Sequence, residues 1–199
     1  MPAVLNAQPG ERILDVCAAP GSKATQIAIN MRGTGWVISG DLYLHRLRGL
    51  RESIVRQGLK TLSLLAFDAS AAMPFADSSF DRVLVDAPCS GTGTLRHNPE
   101  IRWRISSADI AELSDKQKKV LRLASRLVKK GGRLVYSTCS VEPEENEEVI
   151  AAVLSEQGNS LRLTSEHLPQ TLMTSSGMAR IWPQRQGADG FFVAVFERR

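Results

Sequence analysis

Short apolar runs alternate with helical patterns along most of the chain. Aliphatic and β-branched runs predict five buried strands, at residues 12–16, 36–40, 62–67, 81–86 and 133–138. Apolar residues at helical spacing predict three helices, over residues 22–31, 44–57 and 109–129. Each helix is followed by a glycine stop, at residues 33–35, 58 and 131–132.

The remaining segments complete an α/β fold. Residues 141–156 start with Pro143 and a cluster of glutamates, and negative charge in a first turn is typical of a helix start. Residues 178–198 predict two strands joined by a polar turn, which close the sheet as an antiparallel hairpin. Because strands and helices alternate with short connections, we predict an open, mainly parallel sheet with helices on both faces.

Composition is that of an ordinary globular protein. The 199 residues are 43% hydrophobic and 23% charged, and they suffice for one domain with a sizeable core. No apolar run approaches the roughly 20 residues of a membrane span, and the N-terminus lacks a signal-peptide pattern. We therefore expect a cytoplasmic protein. A net charge of +4 is compatible with a polyanionic partner without establishing one.

The loop after the first strand, "DVCAAPGSK" at residues 15–23, lies where α/β sheets bind ligands. It contains one glycine, Gly21, instead of the three of a dinucleotide fingerprint, so it favours an amino-acid carboxylate over a pyrophosphate. A tight turn without a ligand is the alternative.

Acidic residues follow the next two strands. Asp41 is placed to accept both hydroxyls of a ribose, and Asp68 is placed to meet an adenine edge. Lys23 and Arg46 would complete a polar wall. An isolated Asp41 would more often cap a helix, but the combination of these residues indicates a nucleoside site.

Two of the three cysteines, Cys89 and Cys139, follow strands four and five in polar loops. These strands should be neighbours about 4.8 Å apart, so both thiols can flank one small substrate. We therefore favour chemistry over packing for this pair, and packing for Cys17. The spacing offers no CxxC zinc signature. Asp86 could share a proton with a heterocyclic ring nitrogen or cap the loop that follows it.

Four segments carry a family resemblance. They are "ILDVCAAPGSKATQIA", "VDAPCSGTGTLRHNPEIRW", "RLVYSTCSVEPEENEEVI" and "DGFFVAVFER". They resemble the signature blocks of the RNA cytosine-5 methyltransferases of the NOL/NOP/Sun family, most closely its bacterial ribosomal RNA branch (Sun/Fmu). The resemblance implies a Rossmann-like, seven-stranded class I fold that uses S-adenosylmethionine to methylate cytosine, with 16S ribosomal RNA as the expected substrate. Transfer RNA is an alternative substrate, and a non-catalytic RNA-associated nucleoside-binding scaffold is an alternative function.

The resemblance also implies roles for the thiols. Cys139 attacks carbon 6 of a flipped-out cytosine, Cys89 assists removal of the proton from carbon 5, and Asp86 supports the ring at nitrogen 3. DNA cytosine methyltransferases instead use the cysteine of the "PC" loop as the nucleophile. The residues alone leave this exchange of roles open.

The family pattern implies two further sets of residues. The cofactor set comprises Cys17, Ala18, Ala19, Pro20, Gly21, Lys23, Asp41, Arg46, Asp68 and Asp86. The RNA set comprises Arg96, Asn98, Pro99, Arg102 and Arg104. For Arg102 and Trp103, packing of a loop against the long helix is an equal alternative.

Longer relatives have an N-terminal RNA-binding region and a "QDxxS"-like segment before the first strand. The chain has eleven residues before Arg12 and neither feature, so we expect residues 1–199 to be a single catalytic domain. We further expect a monomer that binds RNA, without a metal and without membrane association.

Overall fold

Eight strands form one sheet in the computed structural model, which describes all 199 residues. The strands are β1 (Arg12–Asp15), β2 (Trp36–Asp41), β3 (Leu62–Ala66), β4 (Phe80–Asp86), β5 (Val128–Thr138), β6 (Leu161–Thr164), β7 (Ala179–Ile181) and β8 (Phe191–Arg198). The helices are α1 (Pro2–Leu5), α2 (Ser22–Asn30), α3 (Leu44–Gln57), α4 (Ile101–Arg104), α5 (Ser107–Leu127), α6 (Glu147–Gln157) and α7 (Pro183–Gln186). None of these helices is long and apolar enough to cross a membrane.

The strand order is β3-β2-β1-β4-β5-β8-β6, with β7 also paired to β8. The first five strands pair in parallel, whereas β8 is antiparallel to β5. Strand β7 pairs with residues 191–193 of β8 and β6 with residues 195–198, so both lie on the same edge of β8. The sheet is therefore seven strands wide but contains eight strands, one more than the seven expected. The order reverses between β1 and β4, which is where open α/β sheets bind ligands.

Alternating residues of the central strands enter two separate cores. On β4, Val83 and Val85 pack in one core with residues of α5 and α6, whereas Leu84 packs in the other with residues of α1, α2 and α3. This alternation follows from the two-residue period of a strand. It confirms the prediction of a mainly parallel sheet covered by helices on both faces.

The predicted elements differ from the structure at several places. The short helices α1 and α4 were not predicted, and α6 starts at Glu147, after a single 3₁₀ turn over Pro143–Glu145. Helix α5 starts at Ser107, behind a capping box of Ser106 and Asp109, and it ends at Leu127 rather than at the predicted glycines. Residues 128–132 instead belong to β5, because Val128 pairs with Phe80 and the ladder then continues past a register shift. Strand β6 was not predicted, since its four residues are identified as a strand only through pairing with β8.

The predicted closing hairpin is present in part. Strands β7 and β8 pair antiparallel, but the connection between them contains the short helix α7 in addition to a polar turn. The helix begins with Pro183, which suits a first helical position, and ends at Gly187 with φ +63°. The hairpin brings the start of β8 to the carboxyl end of β5, because Phe192 pairs with Thr138.

Candidate active site

The loops that leave the carboxyl ends of β1, β2, β4 and β5 meet at the reversal point of the sheet. The loops contain the predicted residues Cys17, Cys89 and Cys139, and Asp41 and Asp86 are the last residues of β2 and β4. The geometry of these loops determines which of the predicted residues lie together.

Asp41 holds the loop after β1. Its side chain is only 3% exposed and accepts hydrogen bonds from the amides of Ala19, at 3.3 Å, and Tyr43, at 3.0 Å. Arg46 lies 3.2 Å from the same carboxylate and donates to the Ala19 carbonyl at 3.0 Å. Tyr43 occupies the cap position of α3, so the alternative of Asp41 as the helix cap is wrong.

The same loop crosses from β1 towards β2 and then enters α2. The Ala18 amide donates to the Gly40 carbonyl at 2.7 Å, and Ala18 and Ala19 are buried while Pro20 is exposed. Gly21 has φ +111°, and a Cβ there would lie 2.2 Å from a methyl group of Leu50. This turn therefore requires glycine for two reasons, conformation and space.

Asp86 joins the loop region to α2. Lys23, in the first turn of α2, donates to Asp86 Oδ2 at 2.5 Å, and the Ser137 hydroxyl donates to Oδ1 at 2.8 Å. No amide of the following loop donates to Asp86, so the alternative of a loop cap is wrong. The structure instead places a partly exposed ion pair between α2 and the end of β4.

Asp15 is a residue that the sequence analysis did not single out. It ends β1, it is 1% exposed, and neither of its carboxyl oxygens has a hydrogen-bond partner. Burial, reinforced by the charge of Asp86, raises its pKa to about 8. The raised pKa favours the neutral form of this carboxyl group near pH 7, at the start of the loop that contains Ala18, Ala19 and Gly21. Its position at a strand end was visible in the sequence, but its burial was not.

Asp68 and Cys17 lie at the margins of this region. Asp68 is exposed in the turn after β3, where the hydroxyl and amide of Ser70 donate to it and lower its pKa. Cys17 packs against the larger core, and burial raises the pKa of its thiol. An uncharged thiol packed in this way agrees with the structural role expected for Cys17.

Cys89 and Cys139 lie in contact, with their Sγ atoms 3.3 Å apart. The pKa of Cys139 is lowered because its sulfur accepts a hydrogen bond from Cys89, and the same bond, together with burial, raises the pKa of Cys89. Either sulfur can be the donor at this distance, and the two pKa directions favour the arrangement in which Cys89 keeps its proton and Cys139 is the better thiolate. This asymmetry cannot be derived from the sequence, which predicted only that the two residues are neighbours.

Close backbone contacts fix the Cys139 loop. The Gly93 amide donates to the Cys139 carbonyl at 2.9 Å, and the Gly190 amide donates to the Gly93 carbonyl at 2.7 Å. A Cβ on Gly93 would lie 2.6 Å from the Gly190 carbonyl oxygen and 2.7 Å from that of Cys139. The three segments can approach this closely because residues 93 and 190 have no side chain.

The predicted RNA-binding residues lie on an exposed segment next to this loop. Arg96 donates to the Gly187 carbonyl at 2.9 Å, and Asn98 donates to the hydroxyl of Thr94 at 3.0 Å. Pro99, Arg102 and Arg104 are exposed, and Trp103 is 77% exposed. The alternative of Arg102 and Trp103 packing against the long helix is therefore wrong.

Comparisons with known proteins give one consistent result. The family model described as 16S rRNA methyltransferase RsmB/F matches residues 2–197. The probable ribosomal RNA small subunit methyltransferase B of Bacillus subtilis (strain 168) is 39% identical over 201 residues, which cover 98% of this chain and 45% of that protein. The chain therefore spans less than half the length of this curated relative.

Solved structures with the same fold include two that cover 99% of this chain. The crystal structure of PH0851 has a TM-score of 0.93 at 38% identity, and the match covers 44% of that chain. The structure of NSun6 from Pyrococcus horikoshii with SFG has a TM-score of 0.84 at 28% identity, and the match covers 50% of that chain.

Proposed function

The chain belongs to the 16S rRNA methyltransferase family RsmB/F, and on that premise we propose that it transfers a methyl group from S-adenosylmethionine to carbon 5 of a cytosine in 16S ribosomal RNA. The observation that carries this proposal is the contact between the Sγ atoms of Cys89 and Cys139, 3.3 Å apart in the loops beyond the carboxyl ends of β4 and β5. Two thiols in contact suit a reaction in which one adds to a ring and the other completes its release.

The residues at the carboxyl ends of β2, β3 and β4 fit S-adenosylmethionine, the cofactor of this family. When bound, this molecule supplies a methyl group activated by a positively charged sulfur. Carboxylates suit its positive charges and its ribose hydroxyls. Asp41 and Asp86 are the last residues of β2 and β4, and Asp68 follows β3. Asp41 is proposed to hold the ribose, because its buried carboxylate is already oriented by two backbone amides and Arg46.

Cys139 is proposed to start the reaction on the base. Carbon 5 of cytosine is a poor nucleophile, and addition of a thiolate at carbon 6 converts it into a good one. Cys139 suits this step because the hydrogen bond from Cys89 lowers its pKa and so increases the thiolate fraction at neutral pH. The bond formed is Sγ–C6, and the electron pair of the C5–C6 double bond becomes available at carbon 5.

Asp86 and Lys23 are proposed to support the ring at nitrogen 3. A carboxylate stabilises this nitrogen only when a proton lies between them. The Lys23 ammonium group, 2.5 Å from Asp86 Oδ2, keeps a proton next to that carboxylate. The pair thus offers both an acceptor and a nearby acid where negative charge develops on the ring.

Cys89 is proposed to remove the proton from carbon 5 after methyl transfer. Cys89 first gives its own proton to water, and because its pKa is raised, the thiolate that results is a strong base that takes the proton from carbon 5. The electrons of the C5–H bond then restore the C5–C6 double bond, and the Cys139 thiolate leaves carbon 6. In sum, cytosine and S-adenosylmethionine would give 5-methylcytosine, S-adenosylhomocysteine, one proton and the free enzyme.

The exposed segment 96–104 is proposed to meet the RNA backbone. Arg102 and Arg104 can neutralise phosphates, and the Trp103 ring offers a surface on which an unpaired base can stack. Single-stranded loops are the usual targets of sequence-specific RNA recognition because their bases can be turned outward.

Covalent trapping tests the proposed function directly. Incubated with S-adenosylmethionine and a 16S ribosomal RNA transcript containing 5-fluorocytidine, the protein is expected to form an adduct that survives denaturing electrophoresis, because fluorine at carbon 5 blocks release. A matched transfer RNA transcript should give much less adduct. An absence of adduct with both RNAs would contradict a catalytic function, and preference for transfer RNA would contradict the proposed substrate.

The ribose role of Asp41 gives a separate prediction. Asp41→Ala should weaken S-adenosylmethionine binding by about 1–3 kcal/mol, the usual cost of leaving buried polar groups unpaired. Isothermal titration calorimetry measures this affinity. Asp77→Ala is the matched control, because Asp77 is half exposed and pairs with Arg126 at the other end of β4. Equal affinities of the two variants would contradict the assignment.

A further inference from the structure

One buried acidic residue is not used in the reaction just described. Glu145 is 0% exposed and has no salt-bridge partner. Its Oε1 accepts from the Ser90 amide, at 2.8 Å, and from the Gln117 side chain, at 3.0 Å, while its Oε2 accepts from the Ser90 hydroxyl at 2.5 Å. Burying a carboxylate without a cation is costly, so this residue needs a specific explanation.

The contacts of Glu145 join it to the loop that contains Cys89. Ser90 is the next residue after Cys89, and the Gln117 side chain also donates to the Pro88 carbonyl, at 2.9 Å. Glu145 therefore contacts the residue after Cys89 directly and is linked to the residue before it through Gln117. Its own carbonyl accepts from the buried Tyr136 hydroxyl at 2.7 Å, which anchors it to β5.

Asn146 makes the equivalent contacts with the loop of Cys139. Its Oδ1 accepts from the Thr138 hydroxyl at 2.6 Å, and its Nδ2 donates to the Ser140 carbonyl at 2.9 Å. These are the residues immediately before and after Cys139. Asn146 is also 0% exposed, so its contacts are shielded from water.

We propose that Glu145 and Asn146 are the positioning residues of the thiol pair. Glu145 acts through Ser90, and Asn146 acts through the Thr138 hydroxyl and the Ser140 carbonyl. Together these two consecutive residues keep Sγ of Cys89 and Sγ of Cys139 in contact. Glu145 also places a negative charge near Cys89, which favours the proton on that sulfur and the thiolate on Cys139. The consequence for catalysis rests on the proposed function, whereas the contact between the sulfurs does not.

The pKa directions agree with this arrangement. The pKa of Cys89 is raised by its hydrogen bond to Cys139, by burial, and by the nearby charges of Cys139 and Glu145. The negative charge of Glu145 thus adds to the difference between the pKa values of two otherwise similar thiols. An exposed glutamate could not do so, because water and salt would screen its charge.

Cross-linking with dibromobimane, which bridges two neighbouring thiols, tests the contact without RNA. Peptide mapping should find Cys89 bridged to Cys139 in the wild-type protein. In Glu145→Ala and Asn146→Ala the yield should fall about fivefold, because buried donors of the cysteine loops lose their acceptor. Glu144→Gln is the matched control, because Glu144 is the neighbour of Glu145 in the sequence but its side chain is exposed. This variant should retain the wild-type yield.

Kinetics separate positioning from general destabilisation. In folded Glu145→Ala, kcat for RNA methylation should fall about 100-fold while KM for RNA stays within about threefold, as expected when reacting groups are misplaced. Glu145→Gln keeps an acceptor for the Ser90 amide and should recover the cross-linking yield and much of kcat.

If Glu145→Ala does not fold, the Gln variant still tests the charge. Its preference for iodoacetamide alkylation at Cys139 over Cys89 should be smaller than that of the wild type.

Unchanged cross-linking in folded Glu145→Ala and Asn146→Ala would overturn the proposal, as would an unchanged alkylation preference in Glu145→Gln. Failure of the proposed function has a different signature. In that case the wild-type protein forms no adduct with fluorinated RNA, while its cross-linking yield still depends on Glu145 and Asn146.

Discussion

Replacing Cys139 by alanine is expected to abolish both the covalent RNA adduct and methyl transfer. Without the Sγ–C6 bond, carbon 5 of cytosine remains a poor nucleophile, and in the proposed roles Cys89 acts as the base and does not form that bond. Rates should fall by at least about 10³-fold, the scale seen when an enzyme loses its covalent nucleophile. Methyl transfer from radiolabelled S-adenosylmethionine to a 16S ribosomal RNA transcript measures the loss, and 5-fluorocytidine RNA measures the adduct.

Cys139→Ser is the matched variant for this experiment. It keeps the size and the hydrogen bonding of the side chain next to Cys89, so its fold and cofactor affinity should equal those of the wild type. Its hydroxyl remains protonated at neutral pH and should not replace the thiolate. An adduct that persists in Cys139→Ala but disappears in Cys89→Ala would reverse the two roles, as in the arrangement of the DNA enzymes.

The pKa directions of the two thiols favour Cys139 as the nucleophile and Cys89 as the base, whereas the residues alone left these roles open. Both thiols follow neighbouring strands, and this was predictable because parallel strands bring their carboxyl ends to the same edge of the sheet. The difference between the pKa values of the two thiols was not predictable. It depends on burial and on charges such as that of Glu145, which lies 56 residues from Cys89 in the sequence and meets its loop only in the folded chain.

The acidic run after Cys139 illustrates the limit of local reasoning. Its glutamates suit a helix start, and for Glu144 and Glu148, which are exposed, that explanation is sufficient. Glu145 has the same residue type and almost the same position along the chain, but its side chain is turned inward. Asp15 is similar, since its location at a strand end was visible while its burial was not. Periodicity predicts elements well, but burial of a single polar side chain depends on tertiary packing.

Replacing Cys89 by alanine is expected to have the opposite effect to loss of Cys139, because a covalent protein–RNA complex should accumulate on ordinary, unfluorinated RNA. Cys139 remains able to add to carbon 6, but the proton on carbon 5 loses its base. Release should slow by about 10²–10⁴-fold, the usual contribution of a positioned general base. Denaturing electrophoresis with a 16S ribosomal RNA transcript and S-adenosylmethionine measures the trapped complex.

The pH dependence of adduct formation should also differ between Cys89→Ala and the wild-type protein. In the wild-type protein the hydrogen bond from Cys89 lowers the pKa of Cys139, so its thiolate is present at lower pH than that of an ordinary cysteine. Cys89→Ala removes this bond, and the pKa of Cys139 should rise. Adduct formation in the variant should therefore be slower near neutral pH and should increase as the pH rises. The double variant Cys89→Ala/Cys139→Ala is the control and should form no complex at any pH. Wild-type turnover by Cys89→Ala without a trapped complex would show that another group removes the proton.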